Sequence, residues 1–80
     1  MNSERLTMKQ ALIEGNEDNA VISLVWTEFG AEVLLGTGGA IYTLLTTRSR
    51  AKAAREFEDS VENSRQKEGN RVTVSEGYTE

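Results

Sequence analysis

The 80-residue chain contains no cysteine, no histidine and no proline. The lack of cysteine excludes a disulfide framework and any metal site made of thiolates. The lack of histidine removes the commonest general base and the commonest metal ligand, so no serine or threonine has a histidine to activate it. We therefore expect no enzyme activity, no cofactor and no metal, and a function that consists of binding.

The charge of the chain is modest and unevenly distributed. Nine Lys and Arg side chains and 13 Asp and Glu side chains give a formal net charge of −4 at pH 7. Residues 1–47 contain two basic and six acidic residues, whereas residues 48–80 contain seven of each sign. A net charge of this size is ordinary for a small soluble domain and requires no special partner.

Two features of the sequence bear on its location. It does not open with a basic segment followed by an apolar run, and its lack of cysteine agrees with a reducing compartment, so we expect a cytoplasmic protein. Residues 33–47 are uncharged and precede a basic segment, which is the pattern of a membrane span. This run is shorter than the about 20 residues that a span needs, and extending it backward includes Glu32 and Glu28. We therefore expect no membrane partner.

The first part of the chain predicts a short helix over residues 3–15. Ser3 can cap its start, and a glycine at position 15 can end it. Met8, Ala11 and Leu12 fall at helical spacing and could pack on a sheet.

The middle of the chain changes to β-branched, aromatic and leucine residues. This composition predicts three strands, at residues 21–28, 31–35 and 40–47. Short connections that contain glycine favour an antiparallel meander. In the third strand we expect strict alternation, with Ile41, Thr43 and Leu45 on one face. Both faces of the meander carry apolar side chains, so a helix must cover one face, and the other is half covered or joins a second chain.

The clearest helix is predicted over residues 48–67. Its alanines have high helix propensity, and Ala54, Phe57 and Val61 form a narrow apolar stripe that can pack on the sheet. Glycine and asparagine follow this segment and end it.

The last residues complete the expected fold. Residues 71–75 alternate valine with polar residues, which leaves a final short strand open, and residues 76–80 are expected to be a frayed tail. The prediction is a single compact α+β domain over residues 1–75. It consists of a short N-terminal helix, a three-stranded antiparallel meander, a long C-terminal helix and that last short strand.

The start of the predicted long helix carries an unusual set of basic residues, namely Arg48, Arg50, Lys52 and Arg55. The amino terminus of a helix has a partial positive charge, which disfavours bases there by a few tenths to about 1 kcal/mol. One interpretation is an anion-binding patch for phosphate or for acidic side chains of a partner. The other is a solvated face in which Lys52 and Arg55 pair with the acids one turn later, for about 0.2–0.5 kcal/mol each.

Four further residues of the meander are candidate contacts for a partner. Glu28 and Glu32 flank the turn at Gly30, where they keep a hairpin tip soluble or meet a basic partner. They do not suggest acid–base catalysis, which needs a cleft and a shifted pKa. Phe29 beside the turn and Tyr42 on the third strand are candidate anchors of an interface.

These observations predict a small non-enzymatic protein-interaction module. The leading hypothesis is an inhibitor or adaptor of the phage or mobile-element type, such as an anti-CRISPR protein, that binds a larger host complex. The predicted partner-binding residues are Arg48, Arg50, Lys52, Arg55, Glu28, Glu32, Phe29 and Tyr42. Two alternatives stay open: a dimeric nucleic-acid-binding protein that uses the basic helix start, and a small assembly subunit that pairs with copies of itself through its second sheet face. Direct nucleic-acid binding is less favoured than a protein partner, and a homodimer is left open.

Overall fold

A computed structural model describes residues 5–16 and 18–76 of the chain. The elements, in order, are β1 (Arg5–Glu14), β2 (Asn19–Thr27), β3 (Gly30–Thr37), β4 (Ala40–Thr47), α1 (Arg50–Arg65) and β5 (Arg71–Glu76). The strands form one antiparallel sheet in the order β4-β3-β2-β1-β5. Because α1 follows β4 and precedes β5, it crosses one face of the sheet from one edge to the other.

The predicted fold class is wrong in its first element. Residues Arg5–Glu14 form a strand, not a helix, and this strand lies between β2 and β5 and pairs with both. Ala11 and Ile13 are buried while Leu12 between them is 40% exposed, which is the period of two that a strand shows. Backbone pairing on both sides outweighs the weak local preference for a helix, since tertiary context routinely overrides propensity.

The fold class is also wrong in the size of the sheet, which has five strands among the described residues, whereas a three-stranded meander was expected and one further strand was left open. Strands β2, β3 and β4 and helix α1 occupy the segments expected to be strand and helix, with slightly different bounds, and β5 forms where a last strand was left open. Glu76, expected to begin a frayed tail, is the last residue of β5. The capping role expected of Ser3 and the rest of the tail, residues 77–80, lie outside the described residues.

Helix α1 and one face of the sheet enclose the core. We call this face the helix face. The buried residues are Ala11, Ile13, Ile22, Leu24, Ala31 and Val33 from the sheet and Ala53, Phe57 and Val61 from the helix. The helical residues are spaced by four and therefore share one side of α1. Ala53 takes the place that the sequence assigned to Ala54, which is only partly buried. Phe57 is the largest of them and is 2% exposed.

A β-bulge in β4 breaks the alternation that the sequence predicts there. Leu45 pairs with Val33, and Thr43 pairs with Leu34, so Leu44 is an extra residue on β4. After this extra residue, the side chains of β4 point to the sheet faces opposite to those that strict alternation predicts. Leu45 therefore turns to the helix face with Val33, whereas Thr43 lies on the opposite face, and the expectation that both share one face is wrong.

Replacing the central core residue tests whether α1 holds the sheet together. We expect Phe57→Ala to lower the free energy of unfolding by about 3–5 kcal/mol, since it removes a fully buried ring and leaves a cavity. For a domain of this size that is a large share of the total stability. The matched control is Phe29→Ala, at a ring that is 74% exposed, with an expected change within about 0.5 kcal/mol. Urea unfolding followed by circular dichroism measures both, and equal losses would contradict the packing described.

Candidate protein-interaction surface

The β2–β3 turn and the start of α1 meet at one end of the sheet. Glu28 and Phe29 form the two-residue turn, and both are exposed. Gly30, which follows them, has a φ of 145°, a backbone conformation that residues other than glycine rarely adopt. A Cβ on Gly30 would collide with the carbonyl oxygen of Thr47 and lie 2.5 Å from Cα of Arg48. Glycine is therefore required for the chain entering α1 to pass this close to the turn.

Arg50 clamps this turn to the helix. Its Nε donates a hydrogen bond to the carbonyl oxygen of Gly30 at 3.0 Å, and its Nη2 donates one to the carbonyl oxygen of Thr27 at 2.9 Å. The guanidinium carbon also lies 5.3 Å from the centre of the Trp26 ring, within the range of a cation–π interaction. The structure thus gives Arg50 an intramolecular role, and its expected contact with a partner stays a prediction.

The other three basic residues of this segment, Arg48, Lys52 and Arg55, are exposed. The ion pairs within 4.0 Å among residues 5–16 and 18–76 lie elsewhere, so Lys52 does not pair with Glu56, nor Arg55 with Asp59. The helix begins here despite the bases because the Ser49 side chain accepts a hydrogen bond from the backbone N–H of Lys52 at 3.1 Å. The exposed bases therefore remain available to an anion.

The two acidic candidates have different surroundings. Glu28 is exposed in the turn, whereas Glu32 lies on β3, on the sheet face away from α1. Glu32 Oε1 accepts a hydrogen bond from Arg5 Nη2 at 2.8 Å, and this ion pair crosses β2 next to Val25. Val25 is 4% exposed although it lies on the same face, so this region is better covered than the rest of the face.

The sheet face away from α1, which we call the open face, carries no helix or strand of the described residues. An apolar row crosses it at directly paired positions, from Leu12 through Val21 and Gly36 to Ile41. Leu34 lies two residues before Gly36 on β3 and faces the same way. Leu12 is 40% exposed and Ile41 is 75% exposed. We call Leu12, Val21, Leu34 and Ile41 the open-face row.

Polar and charged side chains surround the open-face row. Gln10 and Ser23, paired beside it, are joined by a hydrogen bond of 3.4 Å between Nε2 and Oγ. Beyond them the Arg5–Glu32 ion pair brings both signs of charge, and at the other end of the face Glu14 and Arg71 are cross-strand neighbours. An apolar centre within a polar rim is the usual composition of a protein interface.

The two edges of the sheet differ in chemistry. Strand β4 has the sequence AIYTLLTT, which contains no charged residue, and its Ile41, Tyr42 and Leu44 are 75%, 53% and 40% exposed. Strand β5 at the other edge is shorter and has a charged residue at each end, Arg71 and Glu76. Charges protect an edge strand from pairing with another chain, so β4 is the less protected edge.

The residues that the sequence predicts as partner contacts do not form one site. They divide into the turn end (Glu28, Phe29, Arg48 and Arg50), the outer side of α1 (Lys52 and Arg55), the open face (Glu32) and the β4 edge (Tyr42). The sequence predicts a second apolar sheet face that is half covered or joins another chain, but it names none of the open-face row as contact residues. The alternation of Val21 and Val25 with the core residues of β2 was the available signal, but it extends to Leu12 only once β1 is a strand.

Across residues 5–16 and 18–76, no helix is both long enough and apolar enough to cross a membrane. In the same residues no three acidic side chains lie close enough together to hold a metal ion. The chain matches no protein-family model, no curated protein and no solved structure.

Exchanging arginine for lysine tests the clamp at the turn end. We expect Arg50→Lys to lower the free energy of unfolding by about 1–2 kcal/mol, because an ammonium cannot hold both carbonyls with one planar group. The neighbouring Arg48→Lys makes the same chemical change at an exposed residue and should stay within about 0.5 kcal/mol. Thermal and urea unfolding of the pair provide the measurement. A clamp is contradicted if the two variants lose the same stability.

The close passage at Gly30 gives a second stability test. We expect Gly30→Ala to lower the free energy of unfolding by about 3 kcal/mol or more, since backbone strain and a collision with backbone atoms add together. In Gly38→Ala the backbone also has a positive φ, 60°, but a Cβ there meets no atom within 4 Å. That control should lose only about 1–2 kcal/mol of backbone strain. Equal losses in urea unfolding would show that the contact at Gly30 is unimportant.

Proposed function

We propose that this protein is a non-enzymatic protein-interaction module whose partner docks on the open face. The observation that supports this most strongly is the open-face row, which leaves Leu12 and Ile41 exposed on a face that no element of the described residues covers. An antiparallel sheet with one face in water usually places polar residues on that face. Apolar side chains on four neighbouring strands of one open face depart from that pattern and offer anchors to a partner.

The size of the open face suits such a partner. Five strands spaced by about 4.8 Å, each about eight residues long at about 3.4 Å per residue, cover roughly 650 Å². A stable interface of ordinary size buries about 800 Å² on each partner. One partner that covers the face and overlaps its rim would therefore form an interface of ordinary size.

The rigidity of the face favours binding as well. The row residues are carried by strands that are paired into the sheet, so they lose little conformational freedom when a partner docks. The charges at the two ends of the face, from Arg5 and Glu32 and from Glu14 and Arg71, can set the orientation of the partner. The apolar centre then supplies most of the affinity, because fully desolvated anchors dominate binding energy.

The sequence supports a narrower form of this proposal, in which the module inhibits or links a larger host complex in the cytoplasm. A small chain with a single broad binding face fits an accessory protein that occupies part of a larger target. The nature of that target would follow from the identity of the captured partner.

A second candidate function is nucleic-acid binding. It is favoured by one observation, the exposure of Arg48, Lys52 and Arg55 without carboxylate partners among the described residues. Phosphate groups could bind these side chains just before α1 and on its outer side, away from the open face. Such binding would weaken steeply as salt is raised, because it releases counterions.

Affinity capture with matched variants separates the two functions. The test variant is Leu12→Lys with Ile41→Lys, which places two charges in the open-face row. The matched control is Ala51→Lys with Asn63→Lys, which adds the same charges at exposed positions of α1. The wild type and the control should capture the same proteins. The amount captured by the test variant should be at least about tenfold lower, because a central anchor of the interface is lost.

A third variant addresses the basic residues in the same experiment. In Arg48→Glu with Lys52→Glu and Arg55→Glu, we expect the captured proteins to be retained, also after nuclease treatment and at moderate salt. Circular dichroism and thermal unfolding of all variants verify that each is folded. The proposal is contradicted if the open-face variant still captures the proteins. Nucleic acid is favoured if, in addition, capture is lost in the glutamate variant, after nuclease treatment or at moderate salt.

A further inference from the structure

The unprotected edge of the sheet, strand β4, carries an inference that is separate from the open face. Within the described residues, β4 pairs with β3 alone, so its other side has no neighbour. Natural edge strands are usually blunted by charges, by proline, by short length or by a bulge. The eight residues of β4 include neither a charge nor a proline, and the only such device is the bulge at Leu44. The segment before the bulge, residues 40–43, is therefore regular and open.

The backbone of this segment has hydrogen-bonding groups that point away from the sheet. Gly38 and Gly39, with φ of 60° and 82°, form the two-residue turn between Thr37 and Ala40. The residues that flank such a turn bond to each other, and bonded and non-bonded pairs then alternate along the strands. The N–H and C=O groups of Ile41 and Thr43 consequently face outward, where another strand could bind them.

The side chains beside these groups are apolar on both faces. Ile41 is part of the open-face row, and Tyr42, which pairs with Leu35 of the core side, lies on the helix face. Both are more than half exposed. A strand added at this edge would thus gain backbone hydrogen bonds together with apolar contacts above and below the sheet.

We propose that the strand added there is β4 of a second copy, paired antiparallel, so that the protein forms a homodimer. Because β4 is uncharged, two copies do not repel each other at the contact. Antiparallel pairing of identical strands is an isologous contact, which closes after two chains and satisfies the same groups on both. Strand β5 is a poorer choice, because its charged ends, Arg71 and Glu76, flank a shorter strand.

The symmetry of this pairing defines the shape of the dimer. Two antiparallel copies of one strand in the same sheet are related by a two-fold axis perpendicular to the sheet. The two five-stranded sheets therefore become one continuous sheet, with both open faces on one side and both α1 helices on the other. Since the contact is a single pair of strands, it is smaller than a standard interface, and we expect a dissociation constant on the order of micromolar.

Sedimentation over a range of concentrations tests the dimer. The wild type should change from monomer to dimer as its concentration is raised. Tyr42→Lys places a charge at the edge on the helix face, where two copies bring the lysines close together, and should weaken the dimer at least about tenfold. Leu12→Lys adds the same charge to the open face, on β1, which is three strand spacings from β4 in the sheet order β4-β3-β2-β1, and should leave the dimer unchanged. If Tyr42→Lys does not fold, Thr43→Pro removes an outward N–H instead and should have the same effect.

Amide hydrogen exchange identifies which surface makes the contact. In the proposed dimer, the amides of Ile41 and Thr43 exchange slowly at high concentration and quickly after dilution. A monomer at all concentrations up to about 1 mM would overturn the proposal. So would a dimer in which these two amides exchange at an unchanged rate, or one that Leu12→Lys breaks and Tyr42→Lys does not. Capture of a partner on the open face does not need the dimer, so Tyr42→Lys should still capture it.

Discussion

The packing of α1 on the helix face is the contact on which the rest of the structure depends, because this helix covers one whole side of the sheet. The 16 residues of α1 make a rod of about 24 Å, which is slightly longer than the about 19 Å between the two edge strands of a five-stranded sheet. The helix can therefore connect the two edge strands by one direct crossing. Phe57 fills the centre of the contact, and the fully buried Ala11, Ala31 and Ala53 allow the helix to lie close to the strands.

Because the helix lies on one side of the sheet, no helix or strand of residues 5–16 and 18–76 covers the other side. A chain of this length buries only about 60% of the surface that it exposes when unfolded. The one helix of the described residues packs on the helix face, so the side chains of the open face are shielded from water only by each other. The Arg5–Glu32 pair next to Val25 protects one part of it, while the open-face row remains accessible. The accessible open face and the small core therefore both follow from the short length of the chain.

Local signals in the sequence located most elements but could not define the sheet. The segments of β2, β3, β4 and α1 are marked by β-branched runs, glycines and alanines that act over short distances. Strand β1 was mistaken for a helix because its strand conformation depends on pairing on both sides, with β2 and with β5, and the residues of β5 are far away in sequence, as in the pair of Lys9 with Glu76. The extra residue Leu44 leaves no mark in the sequence, so the faces of β4 could not be assigned correctly beyond it.

The candidate site shows the same division between local and long-range information. The basic helix start was visible in the sequence, but the carbonyl oxygens of Thr27 and Gly30 that hold Arg50 come from another part of the chain. Leu12 could be added to the apolar side chains of the second sheet face only when β1 was known to be a strand. Exposed charged residues could be suggested as contacts from their chemistry alone. Residues whose role depends on their neighbours in space could be identified only from the fold.

The pairing of β1 with β5 determines how the molecule is oriented when it is attached to a linker, a label or a solid support. Because these strands are antiparallel neighbours, the start of β1 and the end of β5 lie at the same end of the sheet, with Lys9 opposite Glu76. A linker, label or solid support joined before β1 or after β5 would hold the molecule by the same corner and in the same orientation. Strand β4 is four strand spacings from β5, about 19 Å, so that corner leaves the far edge of the sheet unobstructed.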